Sequence, residues 1–258
     1  FLNESEIREQ AKSIFTAKGA PGTSEKYAHI STFQIIQDME KLGWGVVDAK
    51  QVRARKGEGY QKHLVVFRNN DLFIEGTDGD DVFPQILLTN SHDGGNAFSL
   101  SAGIFRLVCS NGLVVADEKF SDFNIKHKGY TFTELRNVVK QAVEDLPNKV
   151  QVMNDMKNRI LTEDEKRKMA LDAMLIRAGV KELQYDEETI TDILDPKRDA
   201  DKGDDLWRVF NVIQEKITQG DFHAALTGAK VRKVRKIKSF EKDMKVNKEL
   251  FKLATALV

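Results

Sequence analysis

His63, His92, Asp93 and His127, with Cys109 between the last two, are the residues whose types could hold zinc or another transition metal. Such a set would serve a metal-dependent nuclease or hydrolase. The spacing supplies no HExxH, no CxxC and no histidine pair one helical turn apart, so no local element preforms a site, and hydrogen-bonding roles are the simpler reading. His92-Asp93-Gly94-Gly95 reads as a turn in which Asn90 or Asp93 bonds its own backbone and a glycine takes positive φ. Ser110-Asn111-Gly112 reads the same way. Asn90, His92, Asp93, Arg106 and Asn111 are therefore predicted to gather as a hydrogen-bonded structural corner at one end of a sheet, with Arg106 paired to Asp93. Cys109, the single cysteine, lies in an apolar run and reads as a packing residue. No phosphate-loop, dinucleotide or nucleophile-elbow glycine motif occurs, so no catalytic residue is assigned and no cofactor is expected. Asp78, Asp80 and Asp81 lack the regular spacing of a calcium loop and read as an exposed acidic loop.

Cations concentrate twice. The first cluster is Lys50, Arg53, Arg55, Lys56, Lys62 and Arg68, interleaved with Tyr60 and Phe67. Alternation sets Arg53 and Arg55 on one face of a strand, as in a groove where cations track phosphates while aromatics stack on bases. The alternative is the solvated face of an antiparallel sheet. The second cluster, Lys230, Arg232, Lys233, Arg235, Lys236 and Lys238, alternates with Val231, Val234 and Ile237. It suits a strand or an ordered arm that meets phosphate, or else a solvated hinge.

These residues need elements to position them. Ser31-Thr32-Phe33-Gln34 announces a helix over 32–42, closed by Gly43. After Trp44 the period becomes two, with Val52 and Ala54 alternating against Arg53 and Arg55, then Leu64 to Phe67. Lys56 to Gly59 reads as a hairpin connection and Asp71 to Val82 as a loop. Further strands are predicted near 85–89, 98–100, 105–107, 113–115 and 123–127. From Tyr130 onward the apolar period is helical: Thr131 and Thr162 open capping boxes, Pro147 should kink or split the first helix, and Gly179 should stop the second. A short helix over 186–194 ends at Pro196, an apolar stripe runs from Leu206 to Ile217, and a last helix follows Phe240. The charged segment from Asp195 to Asp205 reads as a linker or mobile loop. The expectation is an α+β fold, a mainly antiparallel sheet in the N-terminal half followed by a helical C-terminal half, with 1–130 as the sheet-containing core and 131–258 as the helical region.

Forty basic and forty acidic side chains cancel, so any attraction to nucleic acid has to be local. No apolar run approaches the roughly 18 residues of a membrane span, and Phe1-Leu2-Asn3-Glu4 shows no basic-then-apolar signal, so the chain reads as soluble and cytoplasmic.

Leu87 to Gly95 and Gly103 to Val115, with Tyr27 to Thr32, Lys62 to Arg68 and Ile125 to Gly129, resemble the phage- and plasmid-encoded family known as domain of unknown function 932. The resemblance implies a mobile-element context and no established chemistry. Together with the cationic clusters it favours a nucleic-acid-binding protein, acting on single-stranded DNA in recombination or replication and assembling as a homo-oligomer. The order helix, antiparallel meander, long helix is similar to that of the RecT and Redβ annealing proteins, an analogy of fold order alone. The alternatives are a protein that inhibits a host defence or replication factor, and the metal-dependent nuclease or hydrolase above.

Overall fold

The computed structural model describes residues 1–23, 27, 29–53, 58–73, 82–96, 98–106, 112–113, 131–183, 185, 187–220, 222–224 and 232–258. They divide into two compact units, Phe1–Leu146 and Pro147–Val258.

In the first unit α1 (Glu4–Gln10) opens on Asn3 with a reciprocal capping box to Glu6. A single 3-10 turn, Lys12–Phe15, follows. The helix expected from the sequence is α2 (Thr32–Lys41). The Ser31 hydroxyl caps it by accepting from the Gln34 N–H, but the Gln34 side chain turns forward to Asp38, leaving the capping box half made. Five antiparallel strands come next: β1 (Gly45–Gln51), β2 (His63–Arg68), β3 (Val82–Asn90), β4 (Ser99–Arg106) and β5 (Gly112–Leu113), in spatial order β1-β2-β3-β4-β5. Helix α3 (Phe132–Glu144) follows from the Thr131 capping box. Its Leu135, Val138 and Val139 share one buried core with Ile35, Ile36 and Met39 of α2 and with Val65, Phe67, Ile86 and Leu88 of the sheet. Thus α3, grouped by its period with the helical half, packs with the sheet.

Three strand expectations shift, each for a local reason. β1 lies at Gly45–Gln51, before the Val52–Arg55 alternation, and the register break between Val46 and Asp48 interrupts the period of two within it, so the pattern does not announce this strand. The expected strands at 98–100 and 105–107 are one strand, since Gly103 continues the ladder opposite Gln85 instead of breaking it. β3 starts at Val82 and includes Pro84, three residues before the strand predicted from the sequence. The β2 ladder reaches only to Gln85, so Pro84 lies on a stretch of β3 that pairs with β4 alone. Arg55, Lys56 and most of the predicted strands at 113–115 and 123–127 lie outside the described residues.

The second unit follows the predicted helices closely. α4 (Leu146–Asn158) starts one residue after α3 is capped, with Pro147 in its first turn, where the ring costs no intrahelical bond. α5 (Glu163–Ala178) runs from the Thr162 capping box to Gly179 in the left-handed region at φ +72°. After α6 (Glu187–Leu194) comes α7 (Leu206–Gln219), whose Phe210, Ile213 and Ile217 are buried as it packs against α5, α6 and α8 (Phe240–Thr255). Between α7 and α8 lies a two-stranded ribbon, β6 (His223–Ala224) and β7 (Arg232–Lys233). The segment 195–205 is no linker: Arg198 makes a two-pronged ion pair to Glu215 of α7 and a further bond to Asp201, itself buried.

Gly220 caps α7 at φ 77° and ψ −142°, a backbone conformation open to little but glycine. A Cβ there would stand 2.5 Å from the Val234 carbonyl oxygen and 3.0 Å from the Lys236 nitrogen. Gly220→Ala is accordingly expected to destabilise the protein by about 3 kcal/mol, adding backbone strain to a clash with backbone that has no side chain to move. Chemical denaturation is the check, and a loss under about 1 kcal/mol would contradict this account of the close approach.

Candidate functional site

Two places bring together the residues singled out from the sequence. The first is a buried polar corner at one end of the sheet. β2 begins at His63 and β3 ends at Asn90, and the register sets these residues opposite each other. His63 is fully buried. Its Nδ1 lies 3.0 Å from the Gln61 carbonyl oxygen and 3.0 Å from Ser13 Oγ, and its Nε2 lies 2.8 Å from Thr32 Oγ1. A carbonyl only accepts, so Nδ1 carries the proton and Nε2 accepts from the Thr32 hydroxyl. Asn90 completes the arrangement by donating through Nδ2 to Thr32 Oγ1 at 3.0 Å and to the Ile30 carbonyl at 3.1 Å. Burial lowers the His63 pKa from 6.5 to about 4, keeping the ring neutral at physiological pH.

The loop after β3 extends the corner. The His92 ring lies between those of His29 and His63, at centroid distances of 4.6 and 5.1 Å. The His92 backbone is tied on both sides, its N–H donating to the Tyr60 carbonyl at 3.0 Å and its carbonyl accepting from the Ala20 N–H at 2.7 Å. Asp93, exposed at the loop tip, accepts from Ser91 Oγ at 2.7 Å and from the Gly95 N–H at 2.8 Å, and Gly94 takes φ +76°. The turn predicted from the glycines is therefore present. Tyr27 closes the corner by donating to the Ser91 carbonyl, and burial followed by the Asp93 charge raises its pKa.

Part of the predicted corner dissolves. Arg106 pairs in register with Val82 while Ser99 pairs with Thr89, so Arg106 lies at the far end of the strand pair from Asn90. Seven residues of strand, roughly 23 Å, separate the two ends, and Arg106 cannot pair with Asp93. Asn111 and His127 lie outside the described residues. No group of three or more metal-ligating side chains gathers among the described residues, and both ring nitrogens of His63 are occupied by protein groups. The sequence reading missed Ser13, Thr32, Gln61, Tyr27 and His29 as members. The signal was present in the Tyr27–Thr32 and Lys62–Arg68 blocks, which carried the family resemblance without a role.

The basic clusters come apart differently. Phe67 is 0 % exposed and belongs to the core, so it has no face to offer a base. Arg68 lies over the Phe83 ring at 5.0 Å and donates to Asn70, Lys50 pairs with Asp48 at 2.6 Å, and Tyr60 and Lys62 are half-buried. Arg53 remains exposed just beyond β1. The second cluster forms an ordered arm. Lys230 lies outside the described residues, but from Arg232 onward the backbone is fixed: Val234 N–H donates to the Phe222 carbonyl at 2.7 Å and Ile237 N–H to the Thr218 carbonyl at 2.9 Å. The Arg235 carbonyl accepts from Arg177 of α5 at 2.6 Å, and the Ile237 side chain is buried. Arg232, Lys233, Arg235, Lys236 and Lys238 are all exposed. Among the described residues Arg232, Arg235, Lys236 and Lys238 make no ion pair, whereas acids of the same unit such as Asp172, Asp192 and Glu215 are each paired to a lysine or arginine.

Because the folded His63 pKa lies below 6.5, the unfolded chain binds the proton more readily. The stabilising contribution of the neutral ring is thus complete above pH 6.5 and is lost as pH falls toward 4. Between pH 7 and 5 this amounts to about 2 kcal/mol. His63→Gln, which keeps hydrogen-bonding capacity without a titrating ring, is expected to show a stability-pH slope shallower by that amount over the same interval. Identical slopes in urea unfolding would remove His63 as the source.

No helix among the described residues is long and apolar enough to cross a membrane. Two proteins of Escherichia coli strain K12, UPF0380 protein YafZ and UPF0380 protein YfjQ, are each 28% identical to the chain over 264 residues, an alignment covering 100% of this chain and 92% of theirs. No solved structure matches. Neither relative is an annealing protein of the RecT or Redβ kind by name, and that analogy rests on element order alone. The family model described as Domain of unknown function (DUF932) matches residues 22–251, a span that takes in the basic arm and the polar corner apart from Ser13, and the chain belongs to this family.

Proposed function

We propose that the protein binds nucleic acid, without catalysing a reaction on it, through the basic arm of its second unit. The observation that carries the reading is the arm itself: exposed cations at Arg232, Arg235, Lys236 and Lys238 that make no ion pair among the described residues, on a backbone held in place by Phe222, Thr218 and Arg177. Exposed cations free of acidic partners are poised to displace counterions from phosphates, and a fixed backbone keeps the ordering cost of binding low. Global charge contributes nothing, since basic and acidic residues balance, so the attraction is local to this face.

The first cluster is the lesser contributor. Arg53 offers an exposed charge, but Lys50 is paired, Arg68 is occupied with Phe83, and the burial of Phe67 removes one of the two aromatics on which base stacking rested. The reading therefore leans on phosphate contacts more than on stacking. A place in recombination or replication is the finer form of the proposal and rests on the family resemblance and the arm together.

Electrophoretic mobility and fluorescence anisotropy with a 20-nucleotide single strand and the corresponding duplex, from low to moderate salt, test this. Replacing Arg232, Arg235 and Lys236 by Ala is expected to lower affinity and to flatten the logarithmic salt slope by about 2 for single strands, at about 0.7 per lost contact. Arg53→Ala should lower it by about one contact at most. The fold should survive, because exposed charges outside networks cost within about 0.5 kcal/mol each. A parent protein that binds neither probe at low salt would overturn the proposal and favour a protein partner instead.

A further inference from the structure

The arm leads into a cleft. After Lys238 the chain reaches Ser239, the cap of α8, and the first turns of α8 face the end of α5 and the Gly179 turn across an open cleft of about 660 Å³. Its rim carries Arg177, Lys181, Lys242 and Lys245, together with Glu241 and Glu249. Lys245 is paired with Glu249 at 3.8 Å, but Lys181 and Lys242 are exposed and make no ion pair among the described residues. The floor is apolar, from Leu175, Val180 and Val246, and Val180 is 43 % exposed although it is aliphatic. Arg177 joins the two features physically, since it lines the cleft and its guanidinium donates to the Arg235 carbonyl of the arm.

We infer that this cleft receives the continuation of a single nucleic-acid strand bound along the arm, an inference that rests on the nucleic-acid reading above and assigns it a strand preference. The cations of the arm and those of the rim form one path, along which Arg235, Lys236, Lys238 and Lys242 succeed one another in the chain. A cleft of this volume falls within the range of small-ligand sites, roughly 300–1,000 Å³. It has room for one or two nucleotides and none for a base-paired duplex, whose major groove alone is about 12 Å wide. The sugar–phosphate chain runs along Lys181 and Lys242, while an unpaired base covers Val180 and the apolar floor. A base held in a duplex cannot reach that floor without being unstacked, so the cleft selects the single strand even though the arm accepts phosphates of either form.

The test uses the full chain with a fluorescent 20-nucleotide oligo-dT and a 20-base-pair duplex, comparing the parent, Lys181→Ala with Lys242→Ala, and the arm variant Arg232→Ala with Arg235→Ala and Lys236→Ala. Both cleft lysines are exposed, and unchanged circular dichroism of the double variant verifies the fold. The expected result is a loss of about tenfold for oligo-dT in the cleft variant, a salt slope flatter by about 1.4, and little change for the duplex. Oligo-dT binding by the cleft variant equal to the parent, with the arm variant impaired, overturns the cleft inference and leaves the arm reading standing. An equal loss for oligo-dT and duplex overturns the single-strand preference. No binding of either probe by the parent overturns both readings.

Discussion

His63 sits where β2 begins, opposite the residue that ends β3, and both of its ring nitrogens are taken up by protein groups. Ser13 reaches it from the 3-10 turn, Thr32 from the first turn of α2, and Gln61 from the segment entering β2. One neutral imidazole thus joins elements that are tens of residues apart in the chain. The constraint is strict because a buried donor or acceptor left unmade costs about 1–3 kcal/mol, so the ring, the hydroxyls and the Asn90 amide specify one another. Asn90 carries the same order onward, since it also holds the Ile30 carbonyl just before α2 begins. The placement of α2 over the sheet depends on these bonds as well as on the apolar packing of Ile35, Ile36 and Met39.

Around this point the histidine rings do structural work that resembles a functional site. The His92 ring packs against both His29 and His63, Tyr27 donates to the loop after β3, and Asp93 is spent on its own turn. His63 and Asp93, whose types would suit a metal, are here committed to protein groups, and no group of three or more metal-ligating side chains gathers among the described residues. The second unit uses polar groups in the opposite sense. Its arm is held through main-chain atoms, Val234 to Phe222 and Ile237 to Thr218, and the side chains of Arg232, Arg235, Lys236 and Lys238 are exposed and make no ion pair among the described residues. A side chain satisfied by neighbours builds the fold; a side chain left exposed beside a fixed backbone is available to a partner.

The parts of the fold legible in the amino-acid order are those decided by nearest neighbours. Ser31, Thr131, Thr162 and Gly179 mark helix ends because capping is a contact within three or four residues. The split at Pro147 and the buried stripe of α7 follow from local steric and periodic rules. Strands were less legible. The irregularity between Val46 and Asp48 hides the true β1, and Gly103 suggests a break that a paired neighbour bridges. A strand is defined by its partner, and the partner is distant in sequence.

By itself the sequence determined the α+β class, the helix boundaries of the second half, the turn at Asp93–Gly95 and the two concentrations of cations, all properties carried by short windows of chain. Only the tertiary structure decided which of these residues meet. Strand register sends Arg106 to the far end of the sheet from Asp93 and brings His63 to Asn90; packing withdraws Phe67 into the core; and backbone bonds to Phe222 and Thr218 turn the run from Arg232 to Lys238 into an ordered arm. The physical reason is common to all of them. Burial and pairing are relations between residues far apart along the chain, and a residue's type states what it can do but not which neighbours will leave it free to do it.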